Sequence, residues 1–124
     1  MNVVLWIIAG VLAAAFLASG VMKIVQSKEK LAASGLAWTE DFSPGAIKTI
    51  GVLELLAAIG LILPAVLHIA PVLVPLAALG LVVVMVGAAI THGRRKEFQM
   101  ITANVIFLAL AAVVAWGRFG PYSF

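Results

Sequence analysis

The sequence predicts an all-α protein, a transmembrane four-helix bundle with antiparallel neighbours and short loops. Hydrophobic residues make up 65% of the 124 residues, charged residues make up only 10%, and the mean hydropathy is +1.22. A soluble domain of this length cannot bury so much apolar surface. A hydrocarbon core of ~30 Å requires about 20 apolar residues per helix. The sequence contains four such runs, which form a single domain over residues 1–124: residues 3–25, 46–68, 72–91 and 98–116.

The first run is predicted to be a retained membrane span rather than a secretory signal peptide. Only Met1 and Asn2 precede it, so it lacks the Lys or Arg of a signal n-region. Its apolar stretch is also longer than a usual h-region. We therefore expect this segment to remain in the membrane as the first helix of the bundle.

A proline-bounded turn is predicted between the second and third runs. Pro64 and Pro71 bracket His68 in the sequence PAVLHIAP, and proline disrupts a helix interior. This pattern favours a tight turn between two antiparallel spans over one long helix. Pro75 falls in the first turn of the third span, where a missing backbone N–H costs least.

The basic residues predict the orientation of the bundle. By the positive-inside rule, loops 26–45 and 92–97 are expected to face the cytoplasm and both termini to be extracytoplasmic. The pI of about 9.7 then follows from membrane topology and does not indicate nucleic-acid binding. Arg118 alone lies on the other side. The remaining seven of the eight basic residues lie at or in those two loops: Lys23, Lys28, Lys30, Lys48, Arg94, Arg95 and Lys96.

A strongly polar residue lies in the cytoplasmic half or at the cytoplasmic end of each span, namely Lys23, Glu54, His92 and Asn104. Glu54 lies eight residues past Ala46, which at 1.5 Å per residue places it ~12 Å deep, near the bilayer midplane. A charge at this depth is costly unless it is paired or hydrated. A single polar pocket that opens toward the cytoplasm would explain why all four residues lie toward the same end of the bundle. We therefore predict such a pocket. Lys23 is the nearest candidate partner for Glu54.

Four further residues are predicted to line this pocket: Ser19, Thr91, Phe16 and Phe107. Ser19 and Phe16 share the helix face of Lys23, and Phe107 shares the face of the polar residue in the fourth span. The aromatic residues would supply an apolar surface beside the polar groups. The predicted site therefore combines hydrogen-bonding groups with a surface that suits a lipophilic ligand.

The polar residues also have structural interpretations, which the sequence leaves open. A pair of Lys23 and Glu54 could do no more than fix helix register. Asn104 could be an interhelical hydrogen-bonding residue. His92, at a helix end, is typical of an interfacial histidine. Ser19 and Thr91 are expected to bond back to carbonyls of their own helices.

No resident cofactor is predicted, and a bound quinone or lipid is the candidate ligand. The sequence contains no cysteine, which excludes thiolate metal sites and thiol redox chemistry by this chain. His68 and His92 fall at opposite ends of the membrane, ~30 Å apart. They are therefore not expected to ligate a haem within one subunit, and no metal site is predicted.

The loop between the first two spans, QSKEKLAASGLAWTEDFSPG, is the longest polar stretch of the chain. Leu31, Leu36, Trp38 and Phe42 could let part of it lie on the membrane surface. A solvated loop with a single tryptophan anchor fits the sequence equally well.

Several segments resemble the DoxX-like family of small four-span bacterial membrane proteins: FLASGVMKIV, AWTEDFSPGAIKTIGVLELLAAIGLILP, THGRRKE and WGRFGPY. The family-like positions are Gly20 with Lys23, Gly51 with Glu54, and Asn104. The resemblance covers nearly the whole chain and implies a four-helix bundle in the bacterial cytoplasmic membrane. It also implies a link to membrane redox systems, because relatives are similar to small subunits of thiosulfate–quinone oxidoreductases or are associated with oxidative-stress and aromatic-degradation systems.

Three functional classes follow. In the favoured one, an accessory or binding subunit holds a quinone, isoprenoid or other lipophilic molecule for an oxidoreductase partner, with Glu54 and Asn104 on its polar end and Phe16 and Phe107 on its body. The second is an acid–base membrane enzyme of the isomerase or epoxide-opening type, with Glu54 as the acid or base. The third is a proton-coupled transporter of small molecules, which would require a homo-oligomer because the chain lacks inverted repeats.

Overall fold

The computed structural model describes residues 2–33, 36, 38–39 and 42–124 and confirms an all-α fold with four helices long enough to span a membrane. The ends of these four helices differ from the predicted runs by at most three residues. A short additional helix, α2, lies between the first two spans. The helices are α1 (Asn2–Val25), α2 (Lys28–Ala33), α3 (Pro44–Leu67), α4 (Leu73–Arg94) and α5 (Phe98–Phe119).

Local sequence signals fix both ends of α3. The Ser43 side chain accepts a hydrogen bond from the Ala46 N–H at 3.1 Å, and Pro44 occupies the first helical position. The sequence analysis placed Pro64 at the start of the turn between the second and third spans. In the structure, Pro64 lies inside the last turn of α3. The helix ends at Leu67, and the capping residue His68 adopts the left-handed conformation with φ 55°. Proline is tolerated there because only one late backbone hydrogen bond is lost.

The spanning helices form a ring in which α1 contacts α3 and α5, and α4 contacts α3 and α5. Glycines allow the closest approach, between α1 and α3. A Cβ atom built on Gly20 would lie 2.7 Å from the Gly51 carbonyl oxygen and 3.0 Å from the Leu55 backbone nitrogen. Small residues at such crossings let helix backbones pack directly on each other. Among the glycine contacts of the described residues, the α1–α3 crossing therefore brings two helix backbones closest together.

Large apolar side chains cover the outer surface of the bundle. Val3 on α1, Leu56 on α3, Val83 on α4 and Ile106 on α5 are all exposed. Lipid tails solvate such side chains, so their exposure costs nothing in a bilayer. Polar side chains within the spans consequently have only the interior of the bundle, or its ends, available to them.

Replacing Gly20 with alanine is expected to destabilise the bundle by roughly 1–3 kcal/mol, because the added methyl group would press on rigid backbone atoms of α3. Gly10, on the same helix, has open space around a built Cβ and provides the control. Gly10→Ala should leave stability unchanged or raise it slightly through helix propensity. Thermal unfolding in detergent micelles measures both changes, and equal midpoints for the two variants would contradict the close packing.

We call the end of the bundle that carries Lys23, Lys48 and Arg94 the basic end, and the opposite end, near both chain termini, the terminal end. Arg118 does not lie free at the terminal end. It is 5% exposed, and its Nη1 donates to Asn2 Oδ1 at 2.6 Å and to the Tyr122 carbonyl oxygen at 2.9 Å. These bonds tie the start of α1 to the segment after α5, and so close the terminal end.

Candidate functional site

The four spanning helices and described residues between α2 and α3 surround a cavity of about 500 Å³ in the half of the bundle near the basic end. Every helix of the ring contributes side chains to its wall. The cavity brings together all eight residues that the sequence placed in one pocket: Phe16, Ser19, Lys23, Glu54, Thr91, His92, Asn104 and Phe107. Their part in binding a ligand stays a prediction.

Lys23 and Glu54 form a buried ion pair in the cavity wall. Lys23 Nζ lies 2.5 Å from Glu54 Oε1, and the two residues are 7% and 2% exposed. The close crossing of α1 and α3 at Gly20 and Gly51 brings the two side chains together. The partner predicted for Glu54 is thus confirmed. Lys23 Nζ also donates to Ser19 Oγ at 2.6 Å.

The hydroxyl groups of Ser19 and Thr91 have different hydrogen-bond partners. Thr91 Oγ1 donates to the Gly87 carbonyl oxygen at 3.0 Å, which confirms the predicted bond within its own helix. Ser19 Oγ accepts from Lys23, a contact that the sequence analysis did not anticipate. Ser19 therefore belongs to the ion-pair cluster, whereas the Thr91 hydroxyl is already satisfied by its helix.

Asn104 lines the cavity with an amide group that the protein leaves incompletely bonded. Its Nδ2 is buried and has no hydrogen-bond partner among the described residues. A buried donor without a partner costs about 1–3 kcal/mol. Residues that serve only as interhelical contacts normally have such groups satisfied. The role of Asn104 in binding a ligand stays a prediction.

Aromatic rings form the deep end of the cavity. Phe16 of α1 and Phe107 of α5 meet edge to face, with ring centroids 5.4 Å apart. Along α5, Met100 lies near the basic end, and Phe107 lies seven residues deeper, which corresponds to ~10 Å. The polar residue Asn104 falls between them. The cavity therefore has an apolar floor, a polar middle and a height of about two helical turns.

His92 is oriented by a carboxylate from the α4–α5 connection. Its Nδ1 lies 3.0 Å from Glu97 Oε1, and Arg95 Nε lies 3.3 Å from the same oxygen. The hydrogen bond with the His92 ring, assisted by Arg95, holds the pKa of the Glu97 carboxyl below its usual range. Glu97 is then ionised at neutral pH and accepts the bond, so Nδ1 carries the proton. The imidazole is held in one orientation beside the cavity.

Leu36, Trp38 and Phe42 line the cavity at the basic end, and the sequence analysis did not assign them to the site. We call these three residues the roof. The Trp38 ring centroid lies 5.6 Å from Lys23 Nζ, and its ring contacts the His92 ring at a centroid distance of 6.5 Å. Trp38 thus bridges the α1–α3 pair and α4.

The described residues of this loop pack over the cavity, which neither sequence interpretation anticipated. Leu31 and Thr39 are completely buried, and Thr39 Oγ1 donates to the Leu36 carbonyl oxygen at 2.7 Å. The pairing of Trp38 with Phe42, whose ring centroids lie 5.5 Å apart, was a usable signal. Two aromatic residues four positions apart in a polar loop indicate a packed segment.

The sequence model of the DoxX-like family matches residues 7–114, which is most of the chain. The chain belongs to the DoxX-like family. No curated protein and no solved structure matches it. Family membership and the four apolar helices together make this DoxX-like protein a multi-pass integral membrane protein whose surroundings are a lipid bilayer.

The cavity of this DoxX-like protein offers hydrogen-bonding and acid–base groups rather than metal ligands. Among the residues that the structure describes, no three His, Asp or Glu side chains are grouped in a way that could hold a metal ion. The polar groups in the wall include one ion pair, one amide, one oriented imidazole and the hydroxyl groups of Ser19 and Thr91. They are set among phenylalanine, methionine and small aliphatic residues. Such a lining matches the common pattern of small-molecule sites.

Proposed function

We propose that this DoxX-like protein is a binding or accessory subunit that holds a lipophilic molecule with a carbonyl-bearing headgroup, of the quinone type, in the large cavity. The observation that carries the proposal is the joint position of the Lys23–Glu54 pair and the unpartnered Asn104 amide in one largely apolar cavity. A polar cluster enclosed by apolar side chains within a membrane costs free energy, which a function in ligand binding would explain.

The dimensions of the cavity fit this ligand class. Its volume of about 500 Å³ falls within the range of about 300–1,000 Å³ typical of small-molecule sites. Its height of ~10 Å suits a headgroup of one or two fused rings. A longer isoprenoid tail would leave the cavity between helices and remain in the hydrocarbon. The edge-to-face pair of Phe16 and Phe107 supplies the apolar surface for a planar ring.

The hydrogen-bonding groups of the cavity further restrict the chemistry of the ligand headgroup. Asn104 Nδ2 is a donor, so its missing partner is an acceptor such as a carbonyl oxygen. Lys23 and Glu54 are already paired, and their charges then polarise the cavity without binding a free ion. A neutral molecule with carbonyl acceptors satisfies these conditions, whereas a carboxylate or an amine would add an unbalanced charge.

We further propose that the protein serves a redox or detoxification system, and this role depends on a partner protein. The chain has no cysteine, so it would present the ligand to an oxidoreductase or detoxification system and not oxidise it through a thiol. The roof residue Trp38 sits at the basic end of the cavity, where a partner protein would approach.

One observation favours acid–base catalysis as a second candidate. His92 lines the same cavity with its Nδ1 proton donated to Glu97, which is how catalytic histidines are commonly oriented. The ring nitrogen opposite Nδ1 would then be a base for a lipophilic substrate. Recovery of a chemically altered compound from the wild type, and of the unaltered compound from His92→Phe, would select this second function.

Filling the cavity is expected to abolish ligand retention. Ala15 lines the cavity, while Ala14, the preceding residue, is exposed on the outer face of α1. Small molecules that remain after gentle purification are identified by mass spectrometry for wild type, Ala15→Leu and Ala14→Leu. We expect a lipophilic carbonyl compound with the wild type and Ala14→Leu, and its loss with Ala15→Leu. Equal retention in all three proteins would place the ligand outside this cavity.

We propose that the basic end faces the cytoplasm, because seven of the eight lysines and arginines lie near it. A reporter fused after Phe124 is then expected to behave as extracytoplasmic, and a tag inserted at Lys96 as cytoplasmic. Alkaline phosphatase and green fluorescent protein fusions measure the two locations. Fluorescence from the C-terminal fusion would invert the proposed orientation.

A further inference from the structure

A second, smaller cavity of about 150 Å³ lies at the basic end, between the end of α1, the start of α2 and the first turn of α3. Its volume corresponds to about five water molecules. Among the described residues, Lys23 is the one that lines both cavities. The small cavity therefore has its own set of polar groups: Gln26, Ser27, Lys28, Glu29 and Lys48.

We propose that this small cavity binds a phosphate group that carries a hydrogen-bond donor beside it, as in the phosphoethanolamine headgroup of a membrane phospholipid. Lys28 and Lys48 are the cationic partners of the phosphate. Gln26 and Glu29 accept hydrogen bonds from the neighbouring ammonium group. The site is independent of the proposed function, because it needs neither a ligand in the large cavity nor a particular orientation in the membrane.

The cations in the small cavity are two lysines that keep their positive charge available. Lys23 does not count, since Glu54 balances it. Lys48 Nζ donates to the Ile24 carbonyl oxygen at 2.6 Å, which fixes the ammonium group beside the cavity and leaves two of its protons for another acceptor. Lys28 begins α2 and lines the same cavity. Paired ammonium groups attract a phosphate more strongly than one alone.

The acceptors in the same wall argue against a bare anion. Gln26 Oε1 is buried and has no hydrogen-bond partner within the part of the chain that the structure describes. Glu29 adds a carboxylate to the wall. These groups would repel a simple anion but would bind an N–H donor. Two cations beside two acceptors therefore match a zwitterionic headgroup, in which phosphate and ammonium are adjacent.

The position of the cavity fits the polar boundary of a membrane. Pro44 and Ile47 of α3 supply its apolar edge, and the charged residues of α2 lie beyond it. Lysine-bearing pockets at the ends of membrane helices are suited to lipid headgroups. An acyl chain attached to the phosphate could then run along the exposed apolar surface of the bundle, for example past Val25.

Native mass spectrometry of the protein in detergent micelles tests the site, with dioleoyl phosphatidylethanolamine and dioleoyl phosphatidylcholine supplied in equal amounts. The wild type is expected to retain phosphatidylethanolamine preferentially, because the choline ammonium has no N–H to donate. Lys28→Gln/Lys48→Gln should reduce this retention by about tenfold or more through the loss of two charge-assisted bonds. Equal retention of both lipids by the wild type would overturn the acceptor roles of Gln26 and Glu29.

Arg94→Gln/Lys96→Gln is the matched control, since it removes two charges from the same end without touching the small cavity. An equal loss in both double variants would reduce the effect to general surface charge and overturn the site. Glu29→Gln is a milder variant in case the double variant unfolds. With dioleoyl phosphatidylglycerol added to the mixture, it should shift preference from phosphatidylethanolamine to phosphatidylglycerol. Displacement of the lipid by millimolar inorganic phosphate would assign the site to a soluble phosphate compound and overturn the lipid source.

Discussion

Replacing Lys23 with methionine, or Glu54 with leucine, is expected to destabilise the bundle by about 3–5 kcal/mol, whereas the double variant should regain most of that stability. Both side chains are buried, and their charged atoms are 2.5 Å apart. Removing one partner leaves an unpaired charge in a medium that cannot hydrate it. Removing both partners leaves two apolar side chains of similar size, which the interior of the bundle accepts.

A double-mutant cycle measures this coupling directly. Denaturant unfolding in micelles, followed by circular dichroism, gives the free energy of unfolding for the wild type, both single variants and the double variant. A second cycle with Lys48→Met and Glu54→Leu is the control. It should be additive, because the Lys48 ammonium bonds to the Ile24 carbonyl and not to Glu54. Additive losses in the first cycle would mean that the ion pair has no energetic weight.

The four spans and the polar wall of the cavity could be predicted because a bilayer imposes a simple rule. Apolar side chains are stable on any face of a membrane helix, so Glu54 and Asn104 had to point inward or mark a functional site. The positions of these residues along their helices then gave their depth. The pairing of Glu54 with Lys23 followed from depth and from the small residues beside them.

The aromatic spacing of the roof indicates a packed segment, but its position over the cavity could not be predicted, because that position depends on contacts between segments far apart in the sequence. Trp38 is placed by Lys23 on α1 and by His92 on α4, and no local periodicity records such contacts. The loop is also too polar to register as a membrane segment. The hydrogen bond between Arg118 and Asn2 could not be predicted for a similar reason, since the two residues lie at opposite ends of the chain.

Replacing Asn104 with leucine is expected to change stability and ligand binding in opposite directions. The Asn104 Nδ2 is buried without a partner among the described residues, so its removal should stabilise the ligand-free bundle by about 1–3 kcal/mol. The same change removes the donor proposed to hold the ligand carbonyl. Retention of the ligand should then fall about tenfold, which corresponds to the loss of one hydrogen bond.

Thr91→Val is the matched control for this prediction. Thr91 also lines the cavity, but its hydroxyl is bonded to the Gly87 carbonyl, so the substitution should leave ligand retention near the wild-type level. Thermal unfolding and mass-spectrometric ligand retention are measured on the same preparations. If Asn104→Leu lowered stability and left retention unchanged, Asn104 would be an interhelical contact. A rise in stability together with a loss of ligand is the result expected of an amide that bonds to the ligand and not to the fold.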